Sequence, residues 1–328
     1  MNEANATASG QPFMEVPATT LAARVHQFGG PECICVETVP TPSPGPGQVL
    51  VQVEAAGVGP WDGWIRSGNS ALPQPLPLTL GSDLAGVVVA VGPEVATLKV
   101  GDAVFGVTNS NFTGAYAHYA LAQASMIAIK PDALTAVQAA SVPVIAVTAW
   151  QALFDKGHLK SGQTVLIHGG AGGVGAYAIQ FAKNAGAQVI TTASAKDQDY
   201  VRGLGADRVI DYKSEPFETT VKDIDLVVDL VGGDAQDKSF SVLKPGGFLV
   251  SAVSNPDQDA AVRHGVTAFF FLVDVTSAAL TEIAALVNAG KLTTRVGPVF
   301  DLDKVRQIHE ILDGKQPRPE GKIIIKMR

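Results

Sequence analysis

The stretch Val165-Leu166-Ile167-His168-Gly169-Gly170-Ala171-Gly172-Gly173-Val174-Gly175 constrains this chain more than any other. Apolar residues suited to a buried strand run into a glycine cluster, and Ala176 to Lys183 follows with no helix breaker. Strand, tight turn and helix in succession give meaning to the spacing of Gly170, Gly172 and Gly175. In G-x-G-x-x-G the first glycine permits the turn, the second lets backbone approach a pyrophosphate, and the third lets the helix pack close on the strand. Gly173 and Val174 open the helix, whose free N–H groups and partial positive charge suit a phosphate. A plain tight turn would use the same glycines, so the motif gains weight from what surrounds it.

At 328 residues the chain has room for two domains. Its net charge of -7 carries no basic stripe, which argues against nucleic acid or an anionic membrane as partner and for a small-molecule substrate. The two cysteines, Cys33 and Cys35, share one face of a strand and suit neither a disulfide staple nor zinc, so they read as half-buried thiols of a cytoplasmic protein. Residues 1–20 read as a disordered extension, and no secretory signal opens them. Ala133 to Phe154 holds no charge over 22 positions. Pro143 and several Gln, Ser and Thr interrupt it, so a buried helix pair or a helix-to-strand joint is expected rather than a membrane span.

Residues 21–138 have the texture of short strands punctuated by glycine and proline: Ala22 to Phe28, Ile34 to Val39, Gln48 to Gly57, then Val87 to Gly92 and Val100 to Gly106. A mostly β, barrel-like domain is expected there, with a candidate functional loop over Gly57 to Gly68. Over 139–291 helical stretches alternate with strand-like ones at Val165, Gln188, Arg208, Leu226 and Phe248, which implies βαβ units in a doubly wound parallel sheet. Pro245-Gly246-Gly247 is expected to close a helix. From Leu292 the β texture returns, so 292–328 is expected to complete the first domain.

In such a fold the end of the second strand meets the adenosine ribose, where an acid would bind the 2'-hydroxyl and repel a 2'-phosphate. After Val189-Ile190-Thr191-Thr192-Ala193 this chain offers Ser194 and Lys196 before Asp197, which favours NADPH. A solvated Lys196 at a helix start is the alternative.

Together with the glycine loop, Ala206-Asp207-Arg208-Val209-Ile210-Asp211-Tyr212, Asp229-Leu230-Val231-Gly232-Gly233 and Leu243-Lys244-Pro245-Gly246-Gly247 resemble the medium-chain dehydrogenase/reductase superfamily. Gly81-Ser82-Asp83-Leu84-Ala85-Gly86, Trp61-Asp62 and Ile65-Arg66-Ser67-Gly68 are similar to its zinc-free quinone oxidoreductase branch. The resemblance implies a GroES-like catalytic domain around a Rossmann domain, with the cofactor in the cleft between them, and a homodimer. It implies that Tyr212 approaches the 2'-phosphate and that Val231, Gly232 and Ser254 line the cofactor. It also implies that Phe271 and Leu272, within Phe269 to Val273, lie beside the nicotinamide or in an edge strand for dimer pairing. A buried strand is an equally good reading of that aromatic run.

Zinc-dependent members of the superfamily supply a Cys from the loop that is Val58 to Asp62 here and a His-Glu pair at the Gly81 turn. This chain has neither, and its six histidines show no metal-ligand spacing, so no metal is expected. His168 reads as a backbone-bonded turn residue. Gly59 and Trp64 depart from the quinone oxidoreductase pattern of Asn and Tyr. Asp62 is the candidate for organising the substrate loop or only capping it, Trp61 and Trp64 for walling a flat acceptor or covering the core, and solvent, Tyr116 or Ser70 for supplying a proton. The expected activity is NADPH-dependent hydride transfer to a quinone or an α,β-unsaturated carbonyl. The alternatives are a zinc-free alcohol or enone oxidoreductase with another acceptor, and an NADPH-binding sensor with little turnover.

Overall fold

The computed structural model describes residues 16–327, so most of the expected N-terminal extension lies outside the described residues. β1 (Thr19–Val25) and β2 (Ile34–Pro40) pair antiparallel with Thr19 opposite Pro40. β1 ends before the expected Phe28. The chain leaves the sheet there because the Gly29 N–H bonds to the Arg66 C=O and the Phe28 ring packs on Gly68. β3 (Gln48–Gly57) leads into α1 (Pro60–Ser67), and β4 (Leu78–Thr79) joins β1. β5 (Asp83–Val91), β6 (Ala103–Val107), β7 (Tyr119–Gln123) and β8 (Ile127–Ile129) follow.

The uncharged stretch forms α2 (Ala136–Ala139) and α3 (Pro143–Trp150), the latter continuing into a π-turn over Gln151–Lys156. α3 is buried all round from Pro143 to Ala149, which is why its sequence carries no polar face. Among the described residues no helix is long and apolar enough to cross a membrane.

A regular alternation comes next: β9 (Thr164–Ile167), α4 (Gly173–Asn184), β10 (Gln188–Ala193), α5 (Gln198–Gly203), β11 (Arg208–Asp211), α6 (Phe217–Thr220) and β12 (Ile224–Asp229). α7 (Asp234–Ser239), β13 (Leu243–Ser251), α8 (Gln258–His264), β14 (Thr267–Phe270) and α9 (Ser277–Asn288) complete it. All strand pairs are parallel, in the order β11-β10-β9-β12-β13-β14, the Rossmann arrangement. Its switch point lies between β9 and β12, where ligands of such sheets bind outside the carboxyl ends of the strands.

Pro245-Gly246-Gly247 does not close a helix. It bulges β13, so that Leu243 pairs with Ile224 but Phe248 with Leu226, and Gly246 takes the left-handed conformation this needs, at φ +80°.

β15 (Val296–Asp301), α10 (Val305–Leu312) and β16 (Lys322–Lys326) return the chain to the seven-stranded sheet of the first half, separate from that of β1, β2 and β4, in the order β15-β16-β3-β5-β6-β8 with β7 also on β3. A single apolar cluster bridges the two halves: Ala55, Ala85 and Phe105 of the GroES-like sheet, Val144 and Val147 of α3, and Ile167 and Ile179 of the Rossmann half all belong to it.

Candidate functional site

The turn after β9 is made by Gly169, at φ +78°, one residue before the glycine that the motif assigns to it. Gly170 is needed for a different reason: a Cβ there would collide with Thr191 Oγ1 on β10. At Gly175 a Cβ would collide with the Gly169 carbonyl oxygen, so α4 can seat on the turn only with glycine at this position. Gly172 caps the helix, and its C=O takes the first intrahelical bond, from Ala176. The N–H groups of Gly173, Val174 and Gly175 precede that bond and can receive an anion.

His168 and Thr192 hold the turn in place. Ser239 Oγ donates to the Ala235 C=O (2.6 Å) and so accepts from His168 Nε2 (2.9 Å). This leaves Nδ1 to accept from Thr192 Oγ1 (3.3 Å), which itself accepts the Gly169 N–H (3.1 Å). Burial pushes His168 down to about 4, so the ring stays neutral. Its side chain bonds to hydroxyls, where the sequence reading has a backbone-bonded turn histidine.

A cavity of about 690 Å³ opens at the carboxyl ends of β9, β10 and β11. Gly172, Ser194, Tyr212 and Val231 line it, together with Lys213 and Lys238, which the sequence reading missed. Lys196 does not: its ammonium turns to Glu320 Oε1, 3.6 Å away. Asp197 lines the cavity and accepts from Ser194 Oγ at 2.6 Å. The cavity, the glycine turn that no Cβ would allow and the open end of α4 together fit the pyrophosphate and ribose of a dinucleotide.

The loop after β12 is shaped by Asp229, which is fully buried. Its Oδ1 accepts the N–H groups of Val231 (3.0 Å) and Gly232 (2.8 Å), while Oδ2 accepts from Gln236 Nε2 (2.8 Å) and Ser251 Oγ (2.9 Å). Gln236 also reaches Ser254 Oγ (3.1 Å), so Val231, Gly232 and Ser254 are held as one unit. Phe271 is buried and Leu272 exposed just beyond β14, an edge strand.

The substrate-loop candidates separate by burial. Asp62 Oδ2 accepts the Gly59 N–H (2.8 Å) and the Tyr116 hydroxyl (2.9 Å). Both side chains are completely buried, so Asp62 caps α1 and Tyr116 is committed to Asp62 rather than offered to a substrate. That corrects the expectation of Tyr116 as a proton source. Burial raises Asp62 to about 7 and takes Tyr116 well above its usual value. Trp64 is 56% exposed, and Ser70 Oγ accepts the Leu72 N–H while its own proton remains to be given. Among the described residues, no group of three or more His, Cys, Asp or Glu is placed to hold a metal.

Two family models match the chain: an alcohol dehydrogenase GroES-like domain over residues 45–132 and a zinc-binding dehydrogenase over residues 204–325. The quinone oxidoreductase of Sus scrofa is 34% identical over 92% of this chain and 95% of its own. The chain belongs to the quinone oxidoreductase family. It is therefore built as a medium-chain dehydrogenase/reductase, a nicotinamide-dinucleotide-dependent oxidoreductase. The solved quinone oxidoreductase of Coxiella burnetii superposes with a TM-score of 0.87 at 35% identity, covering 94% of this chain and all of the other. The 2-methylene-furan-3-one reductase of Solanum lycopersicum is 32% identical over 98% of this chain and 82% of its own.

Proposed function

We propose that the chain is an NADPH-dependent reductase of quinones or of α,β-unsaturated carbonyls, working without zinc. The observation that carries this reading is the cavity beside the switch point, where the open end of α4 meets Ser194, Tyr212 and Lys213. In this reading Gly172 to Gly175 take the pyrophosphate, and Ser194, Tyr212, Lys213 and a reoriented Lys196 take the 2'-phosphate. Val231, Gly232, Ser254 and the Phe271–Leu272 segment line the way to the substrate cleft. NADPH supplies hydride from its nicotinamide C4. Trp64 walls the acceptor, and the proton comes from Ser70 or solvent.

The acceptor class draws support from the two kinds of relative, one a quinone oxidoreductase and the other a 2-methylene-furan-3-one reductase. Zinc independence is supported by a loop over 58–62 without Cys and a Gly81 turn without His-Glu. The exposed edge of β14 supports a homodimer paired strand to strand, and the free thiols Cys33 and Cys35 support a cytoplasmic setting.

A second reading, NADH as cofactor, is favoured by Asp197, which lines the same cavity and repels a 2'-phosphate. Fluorescence titration with both cofactors, followed by turnover with a quinone, an enone and a secondary alcohol in parallel, decides. Tighter binding of NADPH, with quinone or enone reduced, is the expected result. Tighter NADH, or turnover of the alcohol alone, would overturn the proposal.

A further inference from the structure

One lysine is almost wholly buried: the Lys322 side chain is 7% exposed at the first position of β16. A buried ammonium is expensive unless opposed by charge, and Lys322 Nζ lies 2.9 Å from Asp83 Oδ2, itself fully buried. Its other face sits over the Trp61 ring, 4.3 Å from the centroid. Trp61 is fixed at its far edge too, where Nε1 donates to Ser82 Oγ at 3.1 Å. The second oxygen of Asp83 accepts the Val144 N–H (3.2 Å) in the first turn of α3, the helix whose Ile145 packs against Gly173 at the glycine loop.

One ammonium thus joins three separate parts of the chain. It comes from the C-terminal strand, holds a tryptophan in the first turn of α1, and neutralises the carboxylate that caps the helix behind the cofactor cradle. We propose that Lys322 is a positioning residue for hydride transfer, its ammonium seated between Asp83 and Trp61 so that α1, which carries Trp61 and Trp64, and α3 keep one fixed spacing. An ordinary buried ion pair would serve stability alone. What sets this one apart is its second partner, the indole in the first turn of α1, the helix whose Trp64 walls the acceptor. The inference rests on the reductase reading for its activity arm only.

The test compares full-length wild type with Lys322→Met, which keeps the stem and removes the charge, and with Lys322→Met/Asp83→Asn, which leaves no unpaired buried charge should the single variant fail to fold. Trp61→Leu removes the aromatic partner from the other side. Four quantities are read: kcat and KM for a quinone, NADPH affinity, the midpoint of thermal unfolding, and the Trp61 indole N–H resonance, assigned by its loss in Trp61→Leu. The expected result in the folded variants is a tenfold or greater fall in kcat with NADPH affinity held within twofold. The indole resonance moves in the lysine variants. Wild-type kcat and KM together with an unmoved resonance, in either lysine variant, would overturn the proposal. If wild type itself turns over no acceptor, the reductase reading fails, and the resonance alone then decides on Lys322.

Discussion

The Tyr116 hydroxyl donates to Asp62 Oδ2 across 2.9 Å in a site where neither side chain has any exposed surface. Desolvation dominates there, opposed by the Gly59 N–H, by the charge of Lys322 and by the Tyr116 bond itself, and Asp62 ends near 7. The folded chain therefore keeps this proton between about pH 4 and pH 7 while the unfolded chain gives it up. Stability from this group is full below about pH 4 and is lost as pH rises to about 7. Asp62→Asn removes the dependence and keeps an oxygen to accept both bonds. Urea unfolding at pH 5 and pH 8 is expected to show the asparagine variant gaining on wild type by about 2 kcal/mol over that interval. Equal slopes would mean that Asp62 is ionised in its burial.

Arg66 ties α1 to α10. The residue is 3% exposed, and its guanidinium donates to both Asp313 oxygens (2.8 and 3.0 Å) and to the Gly29 C=O (3.0 Å) and lies 3.4 Å from His309 Nδ1. Burial first and the guanidinium next drive His309 down to about 3, so the ring faces Arg66 as a neutral acceptor. Arg66→Met leaves a carboxylate and a carbonyl without their donor and is expected to cost about 3 kcal/mol in denaturant unfolding. Adding Asp313→Ala should cost less than the sum of the two single changes, since the second removes the charge that the first strands. Strict additivity would show that the pair does not interact.

These two clusters also show where reading the chain residue by residue stops. The Rossmann sheet was legible because each of its strands is a short apolar run followed by a helix, and this pattern is local. So was the glycine turn, although the residue in the left-handed conformation is Gly169, because the motif's spacing does not say which of two adjacent glycines turns and which packs on Thr191. Arg66 and His309 are 243 positions apart, and Lys322 reaches Trp61 from the opposite end of the chain. No period or motif announces such contacts. Lys213 was nearer to hand: it follows Tyr212, and a cation beside a residue already placed at the ribose was the signal to follow.

Gly175 and Gly203 make a matched pair of tests. At Gly175 a Cβ would strike the Gly169 carbonyl oxygen, which is backbone and can yield only by lifting α4 off the turn. Gly175→Ala is expected to destabilise by about 2 kcal/mol and to weaken dinucleotide binding at least tenfold. At Gly203, within α5, a Cβ meets nothing within 4 Å and the backbone is not left-handed. Gly203→Ala should leave binding unchanged and stabilise by about 0.5 kcal/mol, because alanine has less freedom to lose on folding. Thermal unfolding with and without NADPH reads both effects, and a Gly175→Ala protein that still gains full stability from NADPH would show that the cradle lies elsewhere.

Two lysines compete for the role of binding the 2'-phosphate, and geometry ranks them. Lys213 lines the cavity beside Tyr212, whereas Lys196 is 71% exposed and turned toward Glu320, which also receives Arg295. For Lys196 to bind phosphate it must leave that carboxylate, a weak and solvent-screened partner. A dianionic phosphate is the stronger attractor, so both lysines contribute, with Lys213 the larger because it already lines the cavity, its ammonium over the Tyr212 ring at 5.9 Å from the centroid. Replacing Lys213 with alanine is expected to weaken NADPH by about tenfold, and Lys196→Ala by about threefold, while NADH affinity stays within twofold in each. Glu320→Gln frees Lys196 and should tighten NADPH by about twofold without touching NADH, as read by parallel titrations at low and high salt, with the difference shrinking as salt rises. Equal losses of NADPH and NADH in the Lys213 variant would mean that this residue shapes the cavity rather than reads the phosphate.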